Sequence, residues 1–140
     1  MTIRISPTDD LETCLALRRR VFVEEQGVSE AEEIDGLDGI AHHLLASDGP
    51  TSVGTARILI KDHIAKIGRV CVLQSHRGTG LGAEIIRVAL DVARAQPGVS
   101  TAQLGAQIQA LGFYEKLGFK AFGPVYDDAG IDHRDMELHL

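Results

Sequence analysis

The chain has 140 residues, 44% of them apolar and 24% charged, with a formal net charge of −6. That length suits one domain over residues 1–140, with a core that needs no staples. The acidic balance argues against nucleic acid, and no apolar run reaches the roughly 18 residues of a membrane span.

The N-terminal Met1-Thr-Ile-Arg-Ile-Ser6 lacks the apolar centre of a secretory signal, so the expected location is the cytoplasm. Residues 2–6 alternate Ile3 and Ile5 as a short strand does. Ser6-Pro7 then reads as a helix start, with Ser at the N-cap, Pro at N1 and Asp9 in the first turn. Leu11, Cys14 and Leu15 share one face, and Arg18–Arg20 sit where cations suit the helix end.

From Val21 to Ala56 there is no Lys or Arg, against Glu24, Glu25, Glu30, Glu32, Glu33, Asp35, Asp38 and Asp48. This stretch reads either as a solvated loop or as an acidic mouth that attracts a cationic, amine-bearing substrate.

Strand patterns follow at 40–47, 52–60 and 64–73, the first pair joined by an Asp48-Gly-Pro50 turn. A helix over 81–96 carries a stripe of Leu81, Ile85, Val88 and Val92, widened by Ile86, Ala89 and Ala93. A strand at 100–105, a short helix at 108–117 stopped by Gly118, and strands at 119–122 and 131–140 around a loop at 123–130 complete the chain. The order β-α-β-β-β-α-β-α-β-β predicts an α/β fold with a mixed central sheet of six to seven strands and helices on its faces. Strand–helix–strand over 64–105 predicts one parallel pair with a right-handed crossover.

The most informative stretch is Arg77-Gly-Thr-Gly-Leu-Gly82, between an apolar strand and an amphipathic helix. Glycines at 78, 80 and 82 leave backbone N–H groups bare at a helix start, where the dipole favours an anion such as a pyrophosphate. Arg77 adds charge and Thr79 an extra donor. Gly78-x-Gly80-x-x-Ala83 formally fits a dinucleotide fingerprint, but no Asp or Glu lies between 92 and 114 to hold a ribose. No GxxxxGK[ST] is present.

Tyr114 falls about 100° around the helix from Phe113, so it can face a cleft while Phe113 and Leu117 face the core. A phenol there can protonate a developing thiolate. Cys14 and Cys71 form no CxxC, and both read as reduced packing residues. An acyl-Cys route through Cys71 has no neighbour in sequence to lower its pKa. His42-His43 cannot easily share a metal, since adjacent strand residues face opposite ways, and no metal is expected.

With Val70-Cys-Val-Leu73, the glycine motif and Phe113-Tyr-Glu-Lys-Leu-Gly-Phe119, the chain resembles the GCN5-related N-acetyltransferase (GNAT) family. Arg77, Gly80 and Gly82 fit that family's Q/R-x-x-G-x-G/A pattern. Leu17-Arg-Arg-Arg-Val-Phe-Val-Glu-Glu-Gln26 and Gly130-Ile-Asp-His-Arg-Asp-Met136 resemble an ElaA/YjcF-like subgroup. The resemblance implies an acetyl-CoA-dependent N-acetyltransferase acting on a small primary amine in a ternary complex.

It further implies that the backbone of Cys71, Val72 and Leu73 pairs with the pantetheine arm, and that one N–H there polarises the acetyl carbonyl. Arg77, Gly78, Thr79, Gly80, Leu81 and Gly82 hold the pyrophosphate, and Tyr114 is the general acid. Members of the family are often homodimers. Many relatives carry a Glu on the strand before the glycines, where this chain has Lys66 and Arg69. The candidate bases are then Glu33, Asp35 and His133, the last with Asp132 and Asp135 to tune it, and a water chain or an already neutral amine is the alternative. Gln107 stands where many relatives have Asn, as a pantetheine contact. The missing strand carboxylate leaves a non-catalytic acyl-CoA sensor as the alternative.

Overall fold

The computed structural model describes residues 3–140. Its elements are β1 (Ile3–Thr8), α1 (Leu11–Arg18), α2 (Glu30–Glu33), β2 (His42–Asp48), β3 (Thr51–Lys61), β4 (Ile64–Val72), α3 (Leu81–Arg94), β5 (Thr101–Gln107), α4 (Leu111–Lys116), β6 (Lys120–Asp128) and β7 (Ile131–His139). Seven strands form one mixed sheet in the order β1-β2-β3-β4-β5-β7-β6. Neighbours are antiparallel except β4 and β5, the predicted parallel pair around α3. The α/β class, the mixed sheet and the element order match the sequence reading; Thr2, placed in the first strand there, lies outside the described residues.

The first helix starts later than expected. Ser6 and Pro7 stay in β1, paired with Leu45 and Leu44. Asp10 is the cap: its carboxylate accepts from the Thr13 N–H at 3.2 Å and the Thr13 hydroxyl at 2.6 Å. Pro7 on β1 costs little, because this is an edge strand. After Arg18 the helix widens into π turns over Arg19–Glu25. Arg18 is therefore not a solvated helix end but a buried side chain.

Adjacent residues on β2 show how the layers are built. Leu44 joins the cluster under α3, while Leu45 packs with Leu17, Val21 and Cys71 under α1 and its continuation. The two helices thus cover opposite faces. α3 buries Leu81, Ile85, Ile86, Ala89, Leu90 and Ala93; Leu90 joins the predicted stripe and Val88 and Val92 sit at its margin. A Cβ at Gly54 would stand 2.9 Å from Ile85 Cδ1 and 3.0 Å from the Cys71 carbonyl, so only glycine lets α3 settle this close. The segment 123–130, read from sequence as a loop, continues β6 to Asp128 across a bulge between Phe122 and Tyr126. Gly123 and Pro124 sit in that bulge, where an edge strand tolerates them.

Candidate active site

The parallel pair comes apart in the middle of the sheet. β4 and β5 pair only at Ile64↔Thr101, Ala65↔Ala102 and Lys66↔Gln103. β5 then follows β7 down to Gln107↔His133, while β4 bulges against β3 between Thr55 and Arg57. Arg69 lies in that bulge at φ 52°, a left-handed conformation that costs a non-glycine residue about 1–2 kcal/mol. Below it the two strands bound an open slot whose backbone groups lack ladder partners on that side.

One end of the slot is the glycine turn. Gly78 (φ 75°) and Gly80 (φ 86°) adopt conformations that L side chains resist, and Gly80 is the N-cap of α3. No side chain caps the helix, so the first-turn N–H groups of Leu81, Gly82 and Ala83 are bare. Gly82 has ordinary helical geometry; a Cβ there would meet Phe113 Cζ at 3.6 Å, a normal contact.

Three residues assigned to this end from sequence are partly engaged elsewhere. The Thr79 hydroxyl donates to the His76 carbonyl at 2.6 Å, so it is no spare donor. Arg77 donates to the Val72 carbonyl at 2.9 Å and to Glu25 at 2.8 Å, which offsets its charge. The Leu73 N–H is spent on the Val53 carbonyl at 2.8 Å, leaving Val72 as the residue whose carbonyl faces away from β3.

The other end opens into a cleft of about 510 Å³, bounded by Tyr114, His133, Gln107, Arg69, Glu33 and Asp35 among others. None of residues 77–82 lines it, so turn and cleft are separate stations along the slot. Tyr114 stands on α4 between Phe113 and Phe119, edge-on to both rings at 5.0 and 6.0 Å. Burial raises its hydroxyl pKa above the ordinary 10, so it stays protonated at neutral pH. Gln107 is tied to Gln26 (3.2 Å) and Gln109 (2.5 Å) at the rim.

His133 faces the cleft from β7, opposite Gln107 and Tyr126. Its Nδ1 is 2.7 Å from the Ile131 carbonyl. A carbonyl only accepts, so Nδ1 carries the proton and Nε2 keeps its lone pair in the neutral ring. The ring stacks on Tyr126 at 6.0 Å. Neither acid expected beside it bonds the ring. Asp135 accepts from the Tyr126 hydroxyl at 2.8 Å, and Asp132 pairs with Asp127 on the opposite face.

Tyr126 was missed in the sequence because its segment read as loop. Gly105 is the trace it leaves: a Cβ there would stand 2.4 Å from the Tyr126 hydroxyl. That hydroxyl's pKa is driven up by burial and by the Asp135 carboxylate.

The acidic stretch is exposed at Glu24, Glu25, Glu30 and Glu32, but Glu33, Asp35 and Asp38 are held by arginines and form no acidic mouth. Arg18 bonds Glu33 at 2.5 Å and Asp38 at 2.7 Å, and is 1% exposed. Arg57 bonds Asp35 at 2.8 Å and Asp38 at 3.3 Å. Arg69 reaches Glu33 at 3.5 Å and Asp35 at 3.4 Å. Hydrogen bonds from Arg57 hold the Asp35 carboxyl down to about 2, against the opposing effect of burial. A carboxylate that resists protonation so strongly is a weak base. Glu33, buried against Arg18, is likewise a counter-ion. The geometry therefore corrects the reading of these two acids and leaves His133 as the candidate base whose lone pair is free.

Buried polar atoms without a partner among the described residues are His43 Nδ1 and Arg57 Nε. His43 instead uses Nε2 on the Asp38 carbonyl at 2.9 Å. Burial pushes the Cys71 thiol up to about 12, so a thiolate nucleophile is scarce there at neutral pH.

The GNAT acetyltransferase domain model matches residues 10–140. YjcF of Bacillus subtilis, an uncharacterized N-acetyltransferase, is 42% identical over 129 residues, covering 91% of this chain and 91% of that protein. ElaA of Escherichia coli is 34% identical over 131 residues, covering 90% and 85%. The solved ElaA structure superposes with a TM-score of 0.87 over 98% of this chain and 99% of that one, at 30% identity. A Bacillus subtilis acetyltransferase solved in complex with CoA shares the fold at a TM-score of 0.76, with 18% identity over 99% of each chain. A divided parallel pair, an uncapped glycine turn and these relatives along nearly the whole length converge: the chain belongs to the GNAT family and is an N-acetyltransferase of it.

Proposed function

We propose that this chain moves the acetyl group of acetyl-CoA onto a primary amine by direct attack. The carrying observation is the slot itself, which leads from the bare N–H groups at the start of α3 to the Tyr114 hydroxyl. Backbone N–H groups of residues 78–83 suit a diphosphate, because the helix dipole and unpaired donors coincide there. The edge of β4 that faces away from β3 at Val72 suits an amide group of a pantetheine arm, in the manner of an added strand, with Arg77 giving up its bond to the Val72 carbonyl. The fold shared with a protein solved with CoA supports the same carrier.

His133 Nε2 takes a proton from the incoming ammonium, and the neutral nitrogen attacks the thioester carbonyl. The N–C bond forms as the C–S bond breaks. Tyr114 gives its proton to the departing sulfur, and the proton that the newly acylated nitrogen loses restores the phenol through solvent. Holding both partners side by side supplies much of the rate, since the reaction becomes unimolecular in effect.

The test is acetyl transfer from labelled acetyl-CoA to a panel of amines, with free-thiol release as a second readout. Tyr114→Phe should lower kcat by about 100-fold or more, while CoA affinity by calorimetry stays within twofold. A folded protein that shows no heat with CoA at high micromolar concentration would overturn the reading.

A further inference from the structure

The three arginines of the ion network, of which Arg57 and Arg69 line the cleft, are not equally neutralised. Arg18 and Arg57 are met by carboxylates at 2.5–2.9 Å. Arg69 is met chiefly by carbonyls: Glu33 O at 2.9 and 3.3 Å and Glu32 O at 3.4 Å. A carbonyl satisfies a donor without cancelling its charge. The nearest carboxylates stay at 3.4–3.5 Å, and Nη1 has no partner among the described residues. Burial, with the positive charge of Arg57 and Arg18 beside it, lowers its affinity for its own proton. Its backbone is left-handed at the bulge where the slot opens, a strain that places this side chain at the cleft wall.

A second cation stands on the same strand. Lys66 lines the cleft, alternates with the buried Ala65 and Ile67, and makes no ion pair among the described residues. Across the cleft the sign reverses. Asp128, at the end of β6, lines it without a cationic partner among the described residues, close in sequence to His133. Glu32, at the rim, is occupied by the Ser29 hydroxyl at 2.9 Å.

We infer that the acceptor is an amine that also carries a carboxylate, with Arg69 and Lys66 on the β4 wall binding the carboxylate and the amine directed to the Asp128–His133 wall. This rests on the N-acetyl transfer reading above and names its substrate class. A guanidinium with an unpartnered Nη1 and an ammonium that makes no ion pair among the described residues are suited to a carboxylate from a ligand. Arg69 is a specificity-determining residue here.

The experiment compares the common amino acids and ω-amino acids with their amides and with diamines of equal length. The expected result is that at least one acid exceeds its amide by tenfold or more in kcat/KM. Arg69→Gln should raise KM for that acid by tenfold or more and shrink the acid-over-amide ratio of kcat/KM by a similar factor. Arg69→Lys should restore part of the loss. Lys66→Gln, at an exposed site, should raise KM for the acid severalfold without touching the fold.

Amides or diamines that match or exceed every acid would overturn the inference and leave the transferase reading intact. Saturation-transfer NMR of the same acids on the CoA-bound protein reads binding independently of turnover. Acid binding that Arg69→Gln abolishes supports the inference even where no amine is acetylated. Binding that neither variant weakens, or no binding by any acid, sinks it.

Discussion

The two ends of the slot are built from different materials. The glycine turn is local: bare N–H groups, two left-handed glycines and a helix start, within about ten residues of chain. The cleft and the ion network behind its wall are assembled from afar. Arg18, Glu33, Asp38, Arg57 and Arg69 come from four segments, and His133 and Tyr126 from two strands near the C-terminus. A backbone site needs only a permitted conformation, so it costs little and tolerates changes in side chains. A side-chain network in low dielectric depends on every partner, because losing one leaves a buried charge uncompensated.

The sharpest way to break this contrast is at Arg18. Arg18→Ala should destabilise the fold by about 3–5 kcal/mol, since Glu33 and Asp38 would lose their buried counter-charge. Urea unfolding reads this as a drop in midpoint at constant m-value; a loss under 1 kcal/mol would show that the network is solvated. Arg18→Met/Glu33→Leu/Asp38→Leu should recover much of that stability, as apolar replacements of buried ion pairs often do.

Acid titration gives the next effect. The Asp35 carboxyl lies below its unfolded value of 3.8, at about 2. Its stabilisation is therefore complete above the unfolded pKa and is lost as pH falls from about 4 through 2. Asp35 is solvent-exposed, so screening keeps the contribution below the roughly 2 kcal/mol that the shift alone would give. Asp35→Asn should flatten that limb of the stability curve between pH 5 and 2.

At the local end the effect should be smaller in stability and larger in coenzyme binding. Gly80→Ala places a Cβ in a left-handed cap and should cost about 1–2 kcal/mol of stability. CoA affinity should weaken in the same variant, because relieving that strain rotates the N–H groups away. Gly82→Ala, in ordinary helical geometry with open contact distance, should change folding stability by well under 1 kcal/mol. Equal losses in stability at 80 and 82 would erase the distinction between conformation and space.

Much of the fold was legible for the reason that made the turn legible. Hydrophobic period, Gly/Pro punctuation and a glycine-rich strand–helix junction are local signals, and they placed the mixed sheet, α3 and the parallel pair. The misreadings were also local rules applied where contacts at a distance won. Ser6-Pro7 obeyed the rule for a helix start, but pairing with Leu44 and Leu45 kept it in β1. Gly123-Pro124 obeyed the rule for a loop, but pairing with β7 carried β6 across it as a bulge. Glu33 and Asp35 looked like free acids because their partners lie 15 and 22 residues away.

The sequence by itself determined the order of elements and the glycine-rich, uncapped start of α3, because both follow from what neighbouring residues permit along a few turns of chain. Only the tertiary structure decided the charge state of the cleft, for an ion pair depends on distance in space. Arginines at 18, 57 and 69 converge on an acidic segment that holds no positive charge of its own, turning candidate bases into struts. What that convergence leaves chemically free is the imidazole of His133, the phenol of Tyr114 and a guanidinium at Arg69 only partly matched in charge.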